Sequence, residues 1–164
     1  MKTSCFTIAA LAAFAFASPV LAEGDIAKGE KAFNQCQTCH VVVDPEGNVL
    51  AGRKAITGPN LYGVFGRAAG SYPGFKYGKD MIAAGEKGLV WDEEHFATYV
   101  RDPSAFLKDY LDDKKAKGIM AFKLKKTDDP ADLYAYIASL SPAAPAADAA
   151  APAADAAPAP AVTN

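Results

Sequence analysis

The sequence predicts an all-α fold in which short helices and loops wrap one large central object. Three observations predict it. Apolar residues recur at helical spacing near both ends of the central segment, Gly- and Pro-rich connections separate the helical stretches, and no alternating strand run is convincing. The object is named by Cys36-Gln37-Thr38-Cys39-His40. A C-x-x-C-H run is the attachment signature of c-type haem: each thiol can form a thioether to a haem vinyl group, and the next residue places an imidazole under the iron. Two other uses of such a run are a dithiol redox pair and half a zinc site. The redox pair wants βαβ patterning, which is absent, and a zinc site wants a second Cys or His pair, whereas His95 is the only other histidine.

Taken in order, the chain opens with Lys2 and an apolar stretch from Phe6 to Ala17 that is too short to span a bilayer. It reads as a secretory signal peptide over 1–22, with cleavage after Ala22. An uncleaved membrane anchor is the alternative. Cys5 goes with the signal, which leaves Cys36 and Cys39 as the mature cysteines in an oxidising exterior, where haem attachment would consume both. The domain expected over 23–141 begins with an amphipathic helix from Asp25 to Gln35, carrying Ile26, Gly29 and Phe33 on one face and the cysteines at its end. Gly29 in mid-helix costs about 1 kcal/mol relative to Ala, so something must approach closely there.

Asp44-Pro45-Glu46-Gly47-Asn48, Thr57-Gly58-Pro59-Asn60 and Tyr72-Pro73-Gly74-Phe75 are expected as loops. A short helix surrounds Met81. Another starts from Asp92 as N-cap, places Phe96, Tyr99 and Val100 on one face and ends before Pro103, with His95 turned towards water. After a loop-like acidic and basic run, Pro130 opens a last helix whose stripe is Leu133, Tyr136, Ile137 and Leu140, suited to cross the first at Gly29. From 142 to 164 the chain is an Ala/Pro-rich tail with no apolar periodicity, expected to be disordered.

Without Lys2, sixteen basic residues face nineteen acidic ones, a formal charge of about minus three that argues against general nucleic-acid binding. A second iron ligand can come from Met81, Met120 or His95. Met120 is favoured because its flanks in Lys117-Gly118-Ile119-Met120-Ala121-Phe122 can lay a thioether on the iron; Met81 looks like a core filler.

Several stretches in the same order resemble a class I cytochrome c of the larger bacterial cytochrome c2 type. They are Gly29 and Phe33, the Cys36–His40 run, Thr57-Gly58-Pro59-Asn60-Leu61-Tyr62-Gly63-Val64-Phe65-Gly66-Arg67, Pro73-Gly74-Phe75-Lys76-Tyr77, Trp91 and Met120. The resemblance implies one covalent haem c with Cys36 and Cys39 as attachment points and His40 and Met120 as metal ligands. It also implies a Pro59 carbonyl that accepts a hydrogen bond from His40, terminal helices crossed through Gly29, Phe33, Leu133 and Tyr136, Arg67, Tyr77 and Trp91 at the propionates, and Tyr99 near the axial sulfur. Gly118-Ile119 departs from the Thr-Lys that many members carry there, so a more mobile methionine loop is expected.

A closed six-coordinate iron leaves no site for substrate, so the expected role is a one-electron carrier in the periplasm and not an enzyme. The resemblance implies a quinol:cytochrome c reductase as donor and a cytochrome oxidase or photosynthetic reaction centre as acceptor. Lys114, Lys115, Lys117, Lys123, Lys125 and Lys126 are expected to form a basic docking rim for these partners on a monomer. The other functional classes are a haem enzyme or gas sensor with Met120 displaced, and an electron-transfer module of one dehydrogenase tethered by the tail.

Overall fold

The computed structural model describes residues 24–141. The expected signal peptide with Cys5, and the Ala/Pro tail, lie outside the described residues. Helix α1 spans Ile26–Phe33, with the Asp25 carboxylate accepting from the Lys28 amide as N-cap. Helix α5 spans Pro130–Ser139, with Asp129 as N-cap and Pro130 in its first turn, where no amide hydrogen is needed. The two pack through the residues expected to cross: Gly29, Ala32 and Phe33 are buried on α1, and Leu133, Tyr136 and Ile137 on α5. A Cβ on Gly29 would lie 2.0 Å from the Asp132 carbonyl oxygen and 2.7 Å from the Tyr136 Cβ. Glycine therefore sets how closely the terminal helices meet. The Phe33 and Tyr136 rings lie 5.5 Å apart, and Asp132 accepts from the Asp25 amide at 2.7 Å.

Two short strands, β1 (Val41–Val43) and β2 (Val49–Gly52), pair antiparallel directly after His40. The Asp44–Asn48 loop is thus a hairpin turn, with Asp44 accepting from the Asn48 amide at 2.8 Å and Gly47 at φ 87°. Strands this short show too little alternation to stand out from a loop, and the pairing slips between Val42 and Val43.

Helix α2 (Lys79–Glu86) buries Met81 and Ala84, and α3 (Glu93–Arg101) buries Phe96, Tyr99 and Val100 on the expected face. The stop before Pro103 holds, but a further helix, α4 (Pro103–Leu111), begins at once. Asp102, at φ −156° and ψ 92°, ends α3 and caps α4 by accepting from Ala105. The run after Pro103, expected as loop, therefore buries Phe106 and Leu107 instead. Its arrival also corrects the expectation for His95. That side chain is half-buried, its ring 6.1 Å from Phe106 and 5.9 Å from Tyr110, with Nδ1 3.1 Å from the Val90 carbonyl. Helix α3 packs against both α4 and α5, and Leu107, Leu133 and Ile137 are fully buried in the core. Among the described residues, no helix is long and apolar enough to cross a membrane.

Candidate cofactor site

The backbone continues past α1 in tight turns. Cys36 donates its amide to Phe33, and Cys39 and His40 donate theirs to the Cys36 carbonyl at 3.0 and 2.9 Å. The Cys36, Cys39 and His40 side chains all line one cavity of about 380 Å³. Its wall also carries Arg67, Tyr77, Trp91, Tyr99 and Met120, so every site residue expected from sequence is brought together. Met81 lines it too, from its buried position on α2. His95 does not. Leu61, Val64, Phe75, Phe96, Val100, Phe122, Leu133 and Ile137 complete a largely apolar surface.

Burial pushes the Cys36 thiol up to about 11, with a smaller push from Cys39. Among the described residues, no cluster of His, Cys, Asp and Glu forms a metal site of the zinc type.

His40 is fixed more tightly. Its Nδ1 lies 2.9 Å from the Pro59 carbonyl oxygen. A carbonyl only accepts, so Nδ1 carries the hydrogen and Nε2 keeps its lone pair. Burial lowers the His40 pKa, against the opposing hydrogen bond to Pro59, and so favours this neutral form. Gly58 lies under the ring, and a Cβ there would come within 2.5 Å of Cε1.

Asn60 secures the segment that presents Pro59. Its Oδ1 accepts from the Val43 and Tyr62 amides, both at 3.0 Å, while Nδ2 donates to the Val43 carbonyl at 2.8 Å and the Tyr72 hydroxyl at 3.3 Å. Arg67 adds two bonds, to the Tyr62 and Asn60 carbonyls at 3.1 Å each, and its guanidinium sits 4.9 Å from the Tyr72 ring centroid. Burial lowers the Arg67 pKa, while Tyr77 and Tyr72 oppose the shift. Burial likewise raises Tyr77 and, more strongly, Tyr99, whose ring meets Trp91 edge-on at 4.9 Å. Tyr77, Trp91 and Tyr99 each bring a polar tip to this largely apolar wall.

The lead-in to Met120 is tied from two helices. The Lys117 amide donates to the buried Asp80 carboxylate at 2.9 Å, and the Gly118 amide to the Ser104 hydroxyl at 3.1 Å. Asn60, Asp80 and Ser104 were not singled out by sequence reasoning. Asn60 sat inside a recognised loop motif, where an amide that both donates and accepts was the available signal; Asp80 and Ser104 look like ordinary first-turn helix residues. Among the lysines expected at the rim, Lys117 reaches the cavity wall, and Lys123 is paired with Asp102 at 2.5 Å.

The residues fit haem c. Two thiols, an imidazole with its Nε2 lone pair available, a thioether and apolar walls with a few polar tips are the donor and packing set that such a group requires. Crossed terminal helices closing on this cavity define a class I cytochrome c. No protein-family profile matches the chain. It is, however, 56% identical over 142 residues to cytochrome c2 of Cereibacter sphaeroides, covering 86% of this chain and 98% of that one. It is 47% identical over 146 residues to cytochrome c-550 of Paracoccus versutus, covering 87% and 91%. The solved structure of cytochrome c2 from Rhodobacter sphaeroides superposes with a TM-score of 0.71 at 59% identity, over 75% of this chain and 100% of that one. The chain belongs to the cytochrome c2 family. It is therefore an electron carrier and not an enzyme, with haem c as the cofactor its family implies.

Proposed function

We propose that a single haem c fills the cavity, joined by thioethers to Cys36 and Cys39 and ligated by His40 and Met120. The protein then carries single electrons in the periplasm, from a quinol:cytochrome c reductase to a terminal oxidase or a photosynthetic reaction centre. The observation that carries this reading is the convergence of both thiols, the Nδ1-protonated imidazole and the Met120 thioether on one apolar cavity. Haem iron supplies reversible one-electron chemistry, and soft thioether ligation favours its reduced state. The chain supplies the rest. Pro59 orients His40 and adjusts its donor strength through Nδ1, and Asp80 and Ser104 hold the segment that presents Met120. Arg67, Tyr77 and Trp91, which line the cavity, would hold the haem propionates, and Tyr99 would lie near the Met120 sulfur, giving these polar tips partners inside the wall.

The periplasmic assignment is supported by the leader pattern over 1–22, with a mature domain over 23–141 and the tail over 142–164. Docking would use the lysines around the Met120 segment on a monomeric protein, steering acidic partners in a salt-sensitive way. A redox titration with spectra of the purified mature protein tests the site. The expected result is one n = 1 transition, a haem that survives acid extraction, and a near-infrared sulfur-to-iron band in the oxidised form. Extractable haem overturns the covalent attachment, and absence of the band overturns Met120. The intact mass of the periplasmic fraction checks cleavage after Ala22. Reaction rates with a partner oxidase that do not fall as ionic strength rises overturn the docking rim.

A further inference from the structure

Tyr72 does not line the cofactor cavity, yet its side chain meets two residues that serve it. It opens the tight turn Tyr72-Pro73-Gly74-Phe75. Pro73 presets the second position, Gly74 at φ 77° fills the third, and the Phe75 amide donates to the Tyr72 carbonyl at 3.4 Å. The turn sends Phe75 and Tyr77 to the cavity wall and leaves Tyr72 half-buried and off that wall. The Tyr72 hydroxyl accepts from Asn60 Nδ2 at 3.3 Å, and its ring centroid lies 4.9 Å from the Arg67 guanidinium. An Asn carboxamide has two hydrogens to give and two lone pairs to fill. In Asn60 the Val43 and Tyr62 amides take the lone pairs, the Val43 carbonyl takes one hydrogen, and Tyr72 takes the last. Arg67 directs two of its N–H groups to the Tyr62 and Asn60 carbonyls, and it lines the cavity. Among the described residues, Tyr72 is the one side chain that engages both the Asn60 carboxamide and the Arg67 guanidinium.

We propose that Tyr72 is a positioning residue for electron transfer: its hydroxyl locks Asn60, and through it the Pro59 acceptor of His40, while its ring holds Arg67 towards the cavity. The inference rests on the proposed haem site. The two arms act on the iron with opposite sign, which makes them separable. The Pro59 carbonyl makes His40 a stronger donor, and a stronger donor favours the ferric state. Without the hydroxyl, one Asn60 hydrogen is left with no partner, the segment that presents Pro59 loosens, and the potential rises. A guanidinium held at the cavity disfavours the more positive ferric centre by Coulomb repulsion. Burial works against the Arg67 charge, and Tyr77 and Tyr72 are the groups that oppose that effect. Without the ring, Arg67 loses the π-face that holds it, moves towards water, and the potential falls.

Redox titration of the wild-type, Tyr72→Phe and Tyr72→Leu holoproteins tests both arms. Tyr72→Phe keeps the ring and deletes the hydroxyl. It should shift the equilibrium with a redox mediator at least about twofold towards the ferrous state, which is about 18 mV upward for one electron. Tyr72→Leu deletes both, and its potential should lie below that of Tyr72→Phe by at least about threefold in the same equilibrium, about 28 mV. Tyr110→Phe, which removes a half-buried phenol outside both networks, should leave the potential unmoved. In an Asn60→Ala background Tyr72→Phe should add no further shift, since the hydroxyl acts through that carboxamide. Nitrogen-15 NMR of the reduced protein gives a second readout: the His40 Nδ1 hydrogen should exchange with solvent at least about threefold faster in Tyr72→Phe. An unmoved potential or unchanged exchange in Tyr72→Phe, a full shift that persists in the Asn60→Ala background, or a Tyr72→Leu potential at or above that of Tyr72→Phe each overturns the proposal. Should Tyr72→Leu fail to fold, Tyr72→Met, whose flexible chain refills the space, takes its place in the comparison. Wild-type protein without haem c absorption overturns the proposed function itself, whereas intact wild-type spectra with unmoved variant potentials overturn only the role of Tyr72.

Discussion

Replacing Gly29 by Ala pits two effects of opposite sign against each other. Helix propensity alone favours Ala over Gly by about 1 kcal/mol, so an isolated α1 would gain. In the folded protein the new Cβ would sit 2.0 Å from the Asp132 carbonyl oxygen and 2.7 Å from the carbonyl carbon and the Tyr136 Cβ, where ordinary contact begins at 3.4 Å. Asp132 is helix backbone and cannot swing aside. Relief requires α1 and α5 to part by roughly 1.4 Å, more than the gap that already forfeits up to about half of a dispersion contact. Phe33 against Tyr136, and Leu133 and Ile137 beneath them, would loosen together. Overpacking of this kind costs about 3 kcal/mol at the upper end of its usual range, so a net loss of about 2 kcal/mol remains after the propensity gain. The midpoint of thermal unfolding should fall by roughly 8 °C for a domain of this size. Far-UV circular dichroism of wild-type and Gly29→Ala holoprotein, scanned side by side, measures it. An unchanged or raised midpoint would refute the close crossing as the reason glycine stands there.

Asn60→Ala should cost about 2–3 kcal/mol in chemical denaturation, since it deletes bonds to Val43, Tyr62 and Tyr72 together. It should also move the midpoint potential, because Pro59 loses its anchor; a stability loss with an unmoved potential refutes the positioning role. Asp102 has a carboxyl held below its ordinary 3.8 chiefly by the Lys123 hydrogen bond, then by the Ala105 amide. Its stabilisation is therefore fully present above the unfolded value and lost as pH falls through the lower folded one. The difference in unfolding midpoint between wild type and Asp102→Ala should accordingly be constant near neutrality and shrink in acid, and a difference that grows in acid refutes the assignment. Ser104→Ala removes the acceptor for the Gly118 amide and should lower the pH at which Met120 yields to another ligand; an unchanged pH shows that Ser104 does not hold the loop.

The crossing of α1 and α5 was legible because its signals are local: an N-cap or a first-turn Pro, an apolar stripe, and a glycine where a helix would otherwise avoid one. The Cys36–His40 run was legible because the chemistry fixes residue types at fixed spacing. Helix α4 was not. Pro103 reads equally as the end of one helix and the first turn of the next, and only the extended backbone of Asp102 lets one residue serve both. The half-burial of His95 followed from the same omission, because its neighbours Phe106 and Tyr110 come from that helix. The hairpin after His40 was hidden by its brevity.

The two sides of the cavity differ in how they are secured. Cys36, Cys39, His40, Pro59 and Asn60 lie within one stretch of chain, and the hairpin between them closes that stretch with bonds from Asn60 to Val43. That side can form early and without distant elements, because short loops close at little entropic cost. The Met120 side has no such internal frame. Its amides find acceptors on α2 and α4, 37 and 14 residues away in sequence, and its flanks pack against neither a strand nor a helix of their own. Opening α4 or α2 locally would release Met120 while leaving His40 and its Pro59 acceptor in place. With Met120 as the proposed ligand, exchange should therefore begin on the methionine side, where Asp80 and Ser104 hold the segment from outside.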